Sequence, residues 1–303
     1  MDTLILRSMM SIPGIRERFI EKARTIPADI LCFDLEDSVA WDDKPAARDL
    51  VARTLPDFSA NGRLIVVRIN GLDTGLAEQD LDAVVHPWLH GINLPKCHNA
   101  AVVRQVDTYL TYLERTRDIP PGQIKLIPWI ESAEGIAKAL DVCTASDRTI
   151  AAAFGGEDYT ADLGIRRTAG GAELQQPRAI MANAALAAGI VPIDTPEPDF
   201  SDPTKFDQDV QVARSLGYRG KFCIHPTQVD AANRAFAPSD DELAWADRVI
   251  ESYEDGTQRG LGAVSLDGAM IDKPVADRAY GLRAWRQRIA EREALLHTHH
   301  DPA

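Results

Sequence analysis

Two hydrophobic rhythms alternate along the chain. Short apolar runs that read as buried strands recur at "LILRSMMSI" (4–12), "DILCFDLE" (29–36), "RLIVVRIN" (63–70), "GINLPK" (91–96), "IKLIPWIE" (124–131), "TIAAAFGG" (149–156), "GIVPIDT" (189–195) and "GKFCIHP" (220–226). Between them apolar positions take the three-to-four spacing of amphipathic helices, as in "IRERFIEKART" (15–25), "NAAVVRQVDTYLTYLERTR" (99–117) and "PRAIMANAALAA" (177–188). Strand then helix, repeated, requires parallel pairing through right-handed crossovers, and eight repeats close an α/β barrel of the TIM (β/α)8 type. An open doubly wound sheet is the alternative. Its glycine fingerprint is missing, because the first run continues as "SIPGIRER" with one glycine only. Past residue 236 the rhythm changes: 239–258 predicts one long helix, 258–274 a turn-rich, hairpin-like segment and 274–296 a final helix. The expected division is a barrel over 1–236 and a helical, turn-rich C-terminal extension over 237–303.

Composition sharpens this picture in two respects. The 303 residues are 45% hydrophobic and 26% charged, enough for a full soluble core, and the net charge of −13 disfavours nucleic acid and anionic membrane surfaces as partners. An anionic ligand must therefore meet a local basic cluster. No apolar run approaches the roughly 20 residues that span a bilayer, and "MDTLILRSMMSIPG" has neither a basic flank nor a small-residue cleavage site, so a cytoplasmic protein is expected. Cys32, Cys97, Cys143 and Cys223 form no C-x-x-C pair and read as buried, reduced thiols. His297, His299 and His300 in "LHTHHDPA" could catch a metal ion, but the tail reads as a disordered end.

In a parallel barrel, chemistry gathers where the strands end. The second run ends on Asp34, Glu36 and Asp37, the third on Arg68 and Asn70, the fourth on Lys96, the fifth on Glu131, the sixth on Glu157 and Asp158, and the eighth on His225. Carboxylates so crowded repel one another unless a hard divalent cation or basic groups lie among them. Glu131 and Asp158 come from neighbouring strands and suit a shared Mg²⁺, which takes one or two protein carboxylates; the competing reading makes them caps of the following helices. Asp34, Glu36 and Asp37 could orient cation-bound water or Lys96 from behind, or form salt links across the mouth. Arg68 could pair with Glu36 or Glu131 until a ligand arrives, and His225 suits a structural role. On the first helix Arg18 and Lys22 stand at i and i+4, able to face one phosphate group, with Arg16 and Arg24 extending the patch. Glu17 and Glu21 interleave with them, as on an ordinary solvated face.

The ordered series "RSMMSIPG", "FDLEDSV" with "DDKPAAR", "VRINGLDT", "NLPK", "PWIESAEGI", "FGGEDYTADLG", "GKFCIHPTQV", "FAPS" and "DGAMID" resembles the citrate lyase β-subunit-like (CitE-like) branch of the HpcH/HpaI aldolase superfamily, over nearly the whole chain. That resemblance implies a TIM barrel binding Mg²⁺ through Glu131 and Asp158 and acting on acyl-coenzyme A thioesters. Members break or form a carbon–carbon bond beside the thioester, as in malyl-CoA, citramalyl-CoA or citryl-CoA lyases. Some similar proteins hydrolyse malyl-CoA or run in the malate synthase direction. The resemblance assigns Arg68 and Lys96 to the substrate, and makes Asp272 of "MID" an acid/base that works in a neighbouring subunit's site. A homo-oligomer, trimer or hexamer, follows, with the coenzyme A phosphates falling to Arg18 and its basic neighbours. The chain departs from its relatives at Ser11, where they carry an aromatic residue before the proline-glycine. A free-acid aldolase and a subunit active only within a citrate lyase complex are the rival readings.

Overall fold

All eight apolar runs enter one closed ring of parallel strands in the computed structural model, which describes residues 4–59, 64–168 and 170–298. The strands are β1 (Ser8–Pro13), β2 (Ile30–Asp34), β3 (Leu64–Arg68), β4 (Gly91–Leu94), β5 (Lys125–Ile130), β6 (Ala151–Phe154), β7 (Val191–Asp194) and β8 (Gly220–Cys223). They follow chain order round the ring, and β8 pairs with β1 to close it. The expected TIM barrel is the fold. From β2 to β8 each strand ends before its apolar run does, and the last residues of those runs leave the ladder at the barrel mouth; β1 instead starts late, at Ser8, and runs to Pro13. Arg63, the first residue of the third run, lies outside the described residues, as do His299 and His300.

Strand side chains alternate between faces, so every second residue points into the barrel. Ile30 and Cys32, Val66, Ile127 and Trp129, Ala151 and Ala153, Val191 and Ile193, and Phe222 form one buried interior cluster. Sizes are matched across the strands. Ala153 stands beside Trp129 in register, and the Trp129 ring meets Phe222 edge-on at 4.7 Å between centroids. The "AAAFGG" run is thus the small side of the barrel, leaving room for its large neighbours on β5.

Helices form the outer layer. Asn99 caps the helix Ala100–Thr116, its side chain accepting from the Ala101 N–H at 3.0 Å. The helix expected from Pro177 begins earlier, at Ala172, with Pro177 buried inside it. A proline there forfeits one backbone bond and is tolerated because the flanking Leu174, Arg178 and Met181 are buried against the sheet side. Beneath this helix lies a fully paired ionic cluster. Arg178 donates to Asp194 through Nε at 3.0 Å and Nη2 at 2.6 Å and to Asp209 at 2.8 Å, while Lys221 Nζ donates to Asp194 at 2.6 Å and to Asp209 at 2.5 Å. All four cysteines are buried and free. No helix among the described residues is long and apolar enough to cross a membrane.

The chain divides into two compact units, Met1–Asn233 and Arg234–Ala303. The second contains the helix Asp240–Gln258, which opens on a capping box between Ser239 and Glu242, then the antiparallel hairpin β9 (Val264–Leu266) and β10 (Ala269–Ile271), and the helix Lys273–Thr298. Ala246, Val249, Ile271 and Ala279 form its own small core.

Candidate functional site

The inward rows of the barrel end on polar residues. Following the period of two past Cys32, Val66, Trp129 and Ala153 gives Asp34, Arg68, Glu131 and Gly155 as the top layer. Asp34 and Arg68 stand side by side in register on β2 and β3. Arg68 grips Asp34 through Nε and Nη2, both at 2.7 Å, and its Nη1 lies 3.1 Å from Glu36 Oε2 and 4.0 Å from Asp37. The guanidinium rests over the Trp129 ring, 5.5 Å from its centroid, and the Trp129 indole donates to Asn93 Oδ1 at 2.8 Å. So the planar fork, expected to face a substrate, is spent on Asp34. What Arg68 can offer a ligand is the remaining Nη1 edge.

Behind this pair the loop after β2 wraps round the Asp34 carboxylate, which accepts from the N–H groups of Glu36 at 2.9 Å and Ser38 at 3.2 Å. Lys44, buried, donates to the carbonyls of Leu35 at 2.7 Å and Glu36 at 2.6 Å and so locks the loop. Nothing in the charge pattern of "DDKPAAR" tells that this lysine turns inward. Asn70 is turned away from the mouth: its side chain and N–H both donate to Asp80, which Arg48 also holds.

Glu131 is 5% exposed, and Ser132, not Glu131, caps the helix Ala133–Ala137. One carboxylate oxygen, Oε1, accepts from the Lys96 N–H at 2.6 Å. Lys96 reaches this geometry with a left-handed backbone, φ 55°, and its ammonium lies 3.6 Å from Glu36. Glu157 and Asp158, expected at the end of the sixth strand, instead occupy the first turn of the helix Gly156–Asp162. The chain turns at Gly155–Gly156, which separates them: Glu157 is exposed and pairs with Arg167 at 2.9 Å, while Asp158 is half-buried and acts electrostatically on Glu131.

Burial, and then the negative charge of Asp158, push the Glu131 carboxyl up to about 8; burial also raises Glu36 to about 7 and, with Asp37, raises Asp158. Asp34 goes the other way. Burial works against its ionised form, but Arg68 outweighs that and lowers it. Five carboxylates, Asp34, Glu36, Asp37, Glu131 and Asp158, thus share the mouth with three cations, Arg68, Lys96 and Lys44, and Glu36 Oε1 is buried without a hydrogen-bond partner. The carboxylates outnumber the cations, and their oxygens are donors of the kind that hold a hard divalent cation. Among the described residues no three His, Cys, Asp or Glu side chains gather as a metal-binding group.

Elsewhere the expected residues separate. Arg18 and Lys22 are exposed on the helix Glu17–Ala23, whereas Arg24 is drawn off to Glu21 at 2.9 Å and Asp57 at 3.2 Å and does not extend the basic patch. His225 stacks on Phe200, centroids 4.9 Å apart, and meets Thr227 Oγ1 at 2.8 Å. Asp272 lies in the second unit, directly after β10. Its carboxylate accepts from the Val275 N–H at 3.4 Å and caps the last helix.

Arg68→Lys tests the clamp. A lysine cannot serve both Asp34 oxygens and Glu36, and a buried acceptor left unpaired costs about 1–3 kcal/mol. The expected outcome is a lower melting temperature with kcat/KM reduced about 100-fold. Near-parental values of both would remove the clamp from the site's working parts.

A family model for HpcH/HpaI aldolase/citrate lyase matches residues 7–226. The chain is 37% identical over 273 residues to the citrate lyase subunit beta of Leuconostoc mesenteroides subsp. cremoris, covering 90% of each chain, and 32% identical over 289 residues to a (3S)-malyl-CoA thioesterase of Cereibacter sphaeroides, covering 95% of each. The crystal structure of the protein CitE from Mycobacterium tuberculosis in complex with magnesium, acetoacetate and coenzyme A superposes with a TM-score of 0.76 at 30% identity, covering 92% of this chain and 97% of that one.

Proposed function

The chain belongs to the HpcH/HpaI aldolase/citrate lyase family, and from that membership we propose that it is a Mg²⁺-dependent carbon–carbon lyase acting on a β-hydroxyacyl-CoA such as malyl-CoA or citramalyl-CoA. The products are acetyl-CoA and a 2-oxo acid. The observation that carries this reading is the pair Glu131 and Asp158 in a mouth where buried carboxylates outnumber the cations, next to the clamped Arg68. Magnesium, acetoacetate and coenzyme A named together for the Mycobacterium tuberculosis neighbour support the same ligand set.

The reaction is a retro-Claisen cleavage. The substrate hydroxyl gives up its proton to solvent and its oxygen becomes the carbonyl of the 2-oxo acid. The electron pair of the broken bond passes to the acetyl thioester as an enolate, which then takes a proton at carbon. Glu131 and Asp158 would hold Mg²⁺, which when bound would supply Lewis-acid polarisation of the substrate oxygens. Asp34 fixes the Arg68 guanidinium so that its Nη1 edge, which lies 3.1 Å from Glu36 Oε2 before substrate enters, meets developing negative charge. The Lys96 ammonium, on a flexible side chain that is 36% exposed, answers a substrate carboxylate. Arg16, Arg18 and Lys22, exposed on and beside the first helix, face the coenzyme A phosphates. Asp272 of a neighbouring subunit delivers the proton to the enolate carbon, assistance worth about 10²–10⁴ in rate. Met270, two residues before it, is 67% exposed, as suits a segment that docks on another copy of the chain in a homo-oligomer.

A second reading, a citryl-CoA lyase subunit working inside a complex, is favoured by the 37% identity to citrate lyase beta subunits, and malyl-CoA hydrolysis by the 32% identity to the thioesterase. Incubating the chain alone with Mg²⁺ and malyl-, citramalyl- or citryl-CoA separates them. Acetyl-CoA plus a 2-oxo acid from either of the first two is the expected result. Free coenzyme A with the intact hydroxy acid would instead establish hydrolysis, and no turnover of any ester by the chain alone would replace the proposal with the complex-bound subunit.

A further inference from the structure

We infer that Gly155 is a positioning residue for Glu131: it leaves empty the inward place that the Glu131 carboxylate fills. Ile130 and Phe154 pair in register on β5 and β6, so the next step sets Glu131 beside Gly155, and the Gly155 N–H donates to the Ile130 carbonyl at 3.2 Å. By the alternation that points Ala151 and Ala153 inward, residue 155 points into the mouth as well. A Cβ built on Gly155 would lie 2.3 Å from Glu131 Oε2 and 2.6 Å from Glu131 Cβ. Neither distance is compatible with a side chain. The backbone of Gly155, φ −103° and ψ 91°, is open to any residue, so the glycine is required for space and not for conformation.

The carboxylate has no easy retreat from such a Cβ. Its other oxygen is tied at 2.6 Å to the Lys96 N–H, which a left-handed lysine backbone, φ 55°, aims at it. One side of the group is therefore held and the other is given room. The small run "AAAFGG" acquires a second reason: Ala153 makes room for Trp129 and Gly155 for Glu131. The inference rests on the reading of Glu131 as a cation ligand.

The test is calorimetric titration of the purified full chain with Mg²⁺ alone, alongside its melting temperature. Gly155→Ala is expected to weaken Mg²⁺ binding about 10- to 100-fold, as loss of a ligand's support does. Gly91→Ala is the matched control. Its Cβ would meet the Lys125 carbonyl at 2.9 Å where β4 and β5 begin, at the other end of the barrel, so it should lower the melting temperature and keep the parent's Mg²⁺ affinity. Parent-like Mg²⁺ affinity in folded Gly155→Ala overturns the inference alone, whereas a parent chain that binds no Mg²⁺ overturns the cation reading as well. Should Gly155→Ala not fold, removing the opposing side chain in Glu131→Gly/Gly155→Ala is expected to restore a folded barrel; a double variant that also fails to fold would place the clash elsewhere and end the inference.

Discussion

Glu131→Gln and Asp158→Asn should each leave a folded protein with turnover at least about 10³-fold lower and no response to Mg²⁺, because in the proposed reaction several kcal/mol of transition-state stabilisation would come from the cation and neutral amides replace anionic ligands poorly. The amide introduced by Glu131→Gln keeps the volume and can still accept from the Lys96 N–H, so the mouth is not rebuilt. Stability gives the complementary reading. Burial and the charge of Asp158 raise the Glu131 carboxyl, which means that its ionised form is disfavoured in the folded chain when no cation is present. In metal-free buffer near pH 8 the Glu131→Gln chain should therefore melt no lower than the parent. Added Mg²⁺ should raise the parent's melting temperature and leave the variant's unchanged. A structural acid would show the reverse pattern, with a destabilised variant and intact turnover under chelator.

A chain carrying Asp272→Asn and a chain carrying Glu131→Gln, each inactive alone, should regain activity when their subunits are exchanged. Some mixed sites then combine an intact Glu131 with an intact Asp272 from a neighbour. Asparagine is preferred to alanine here because Asp272 also caps the helix Lys273–Thr298 through its carboxylate. Asparagine keeps that cap, whose loss costs about 1 kcal/mol, and removes only the acid. Asp267 supplies the comparison: it stands at the tip of the hairpin with φ 50° and bonds Arg248 at 2.6 Å, so Asp267→Asn should leave turnover near that of the parent. If verified exchange restores nothing, Asp272 does not work in a neighbour's barrel.

The eight strands are legible because each is largely buried on both faces and reads as a short, mostly apolar run. The mouth is legible for the same reason: continuing the inward positions of β2, β3 and β5 by one step reaches Asp34, Arg68 and Glu131. What sequence does not supply is pairing between distant residues. The grip of Arg68 on Asp34 needs the register of two strands 34 residues apart, and nothing local to "VRIN" reveals that the fork is occupied. Asp158 reads as a strand-end residue because "FGGED" does not say where the ladder stops, and the turn at the two glycines carries it into a helix. Pro177 reads as a helix start, the position prolines favour, but burial of Leu174 extends that helix back to Ala172.

The ionic cluster beneath β7 and β8 bears on how the ring assembles. Without Lys221, Asp194 at the end of β7 and Asp209 on the helix Pro203–Ser215 would be answered by Arg178 alone, leaving one buried negative charge without a partner. Lys221 stands on β8, the strand that pairs with β7 on one side and β1 on the other, so the strand that closes the ring also carries the counter-charge that lets the seam dry.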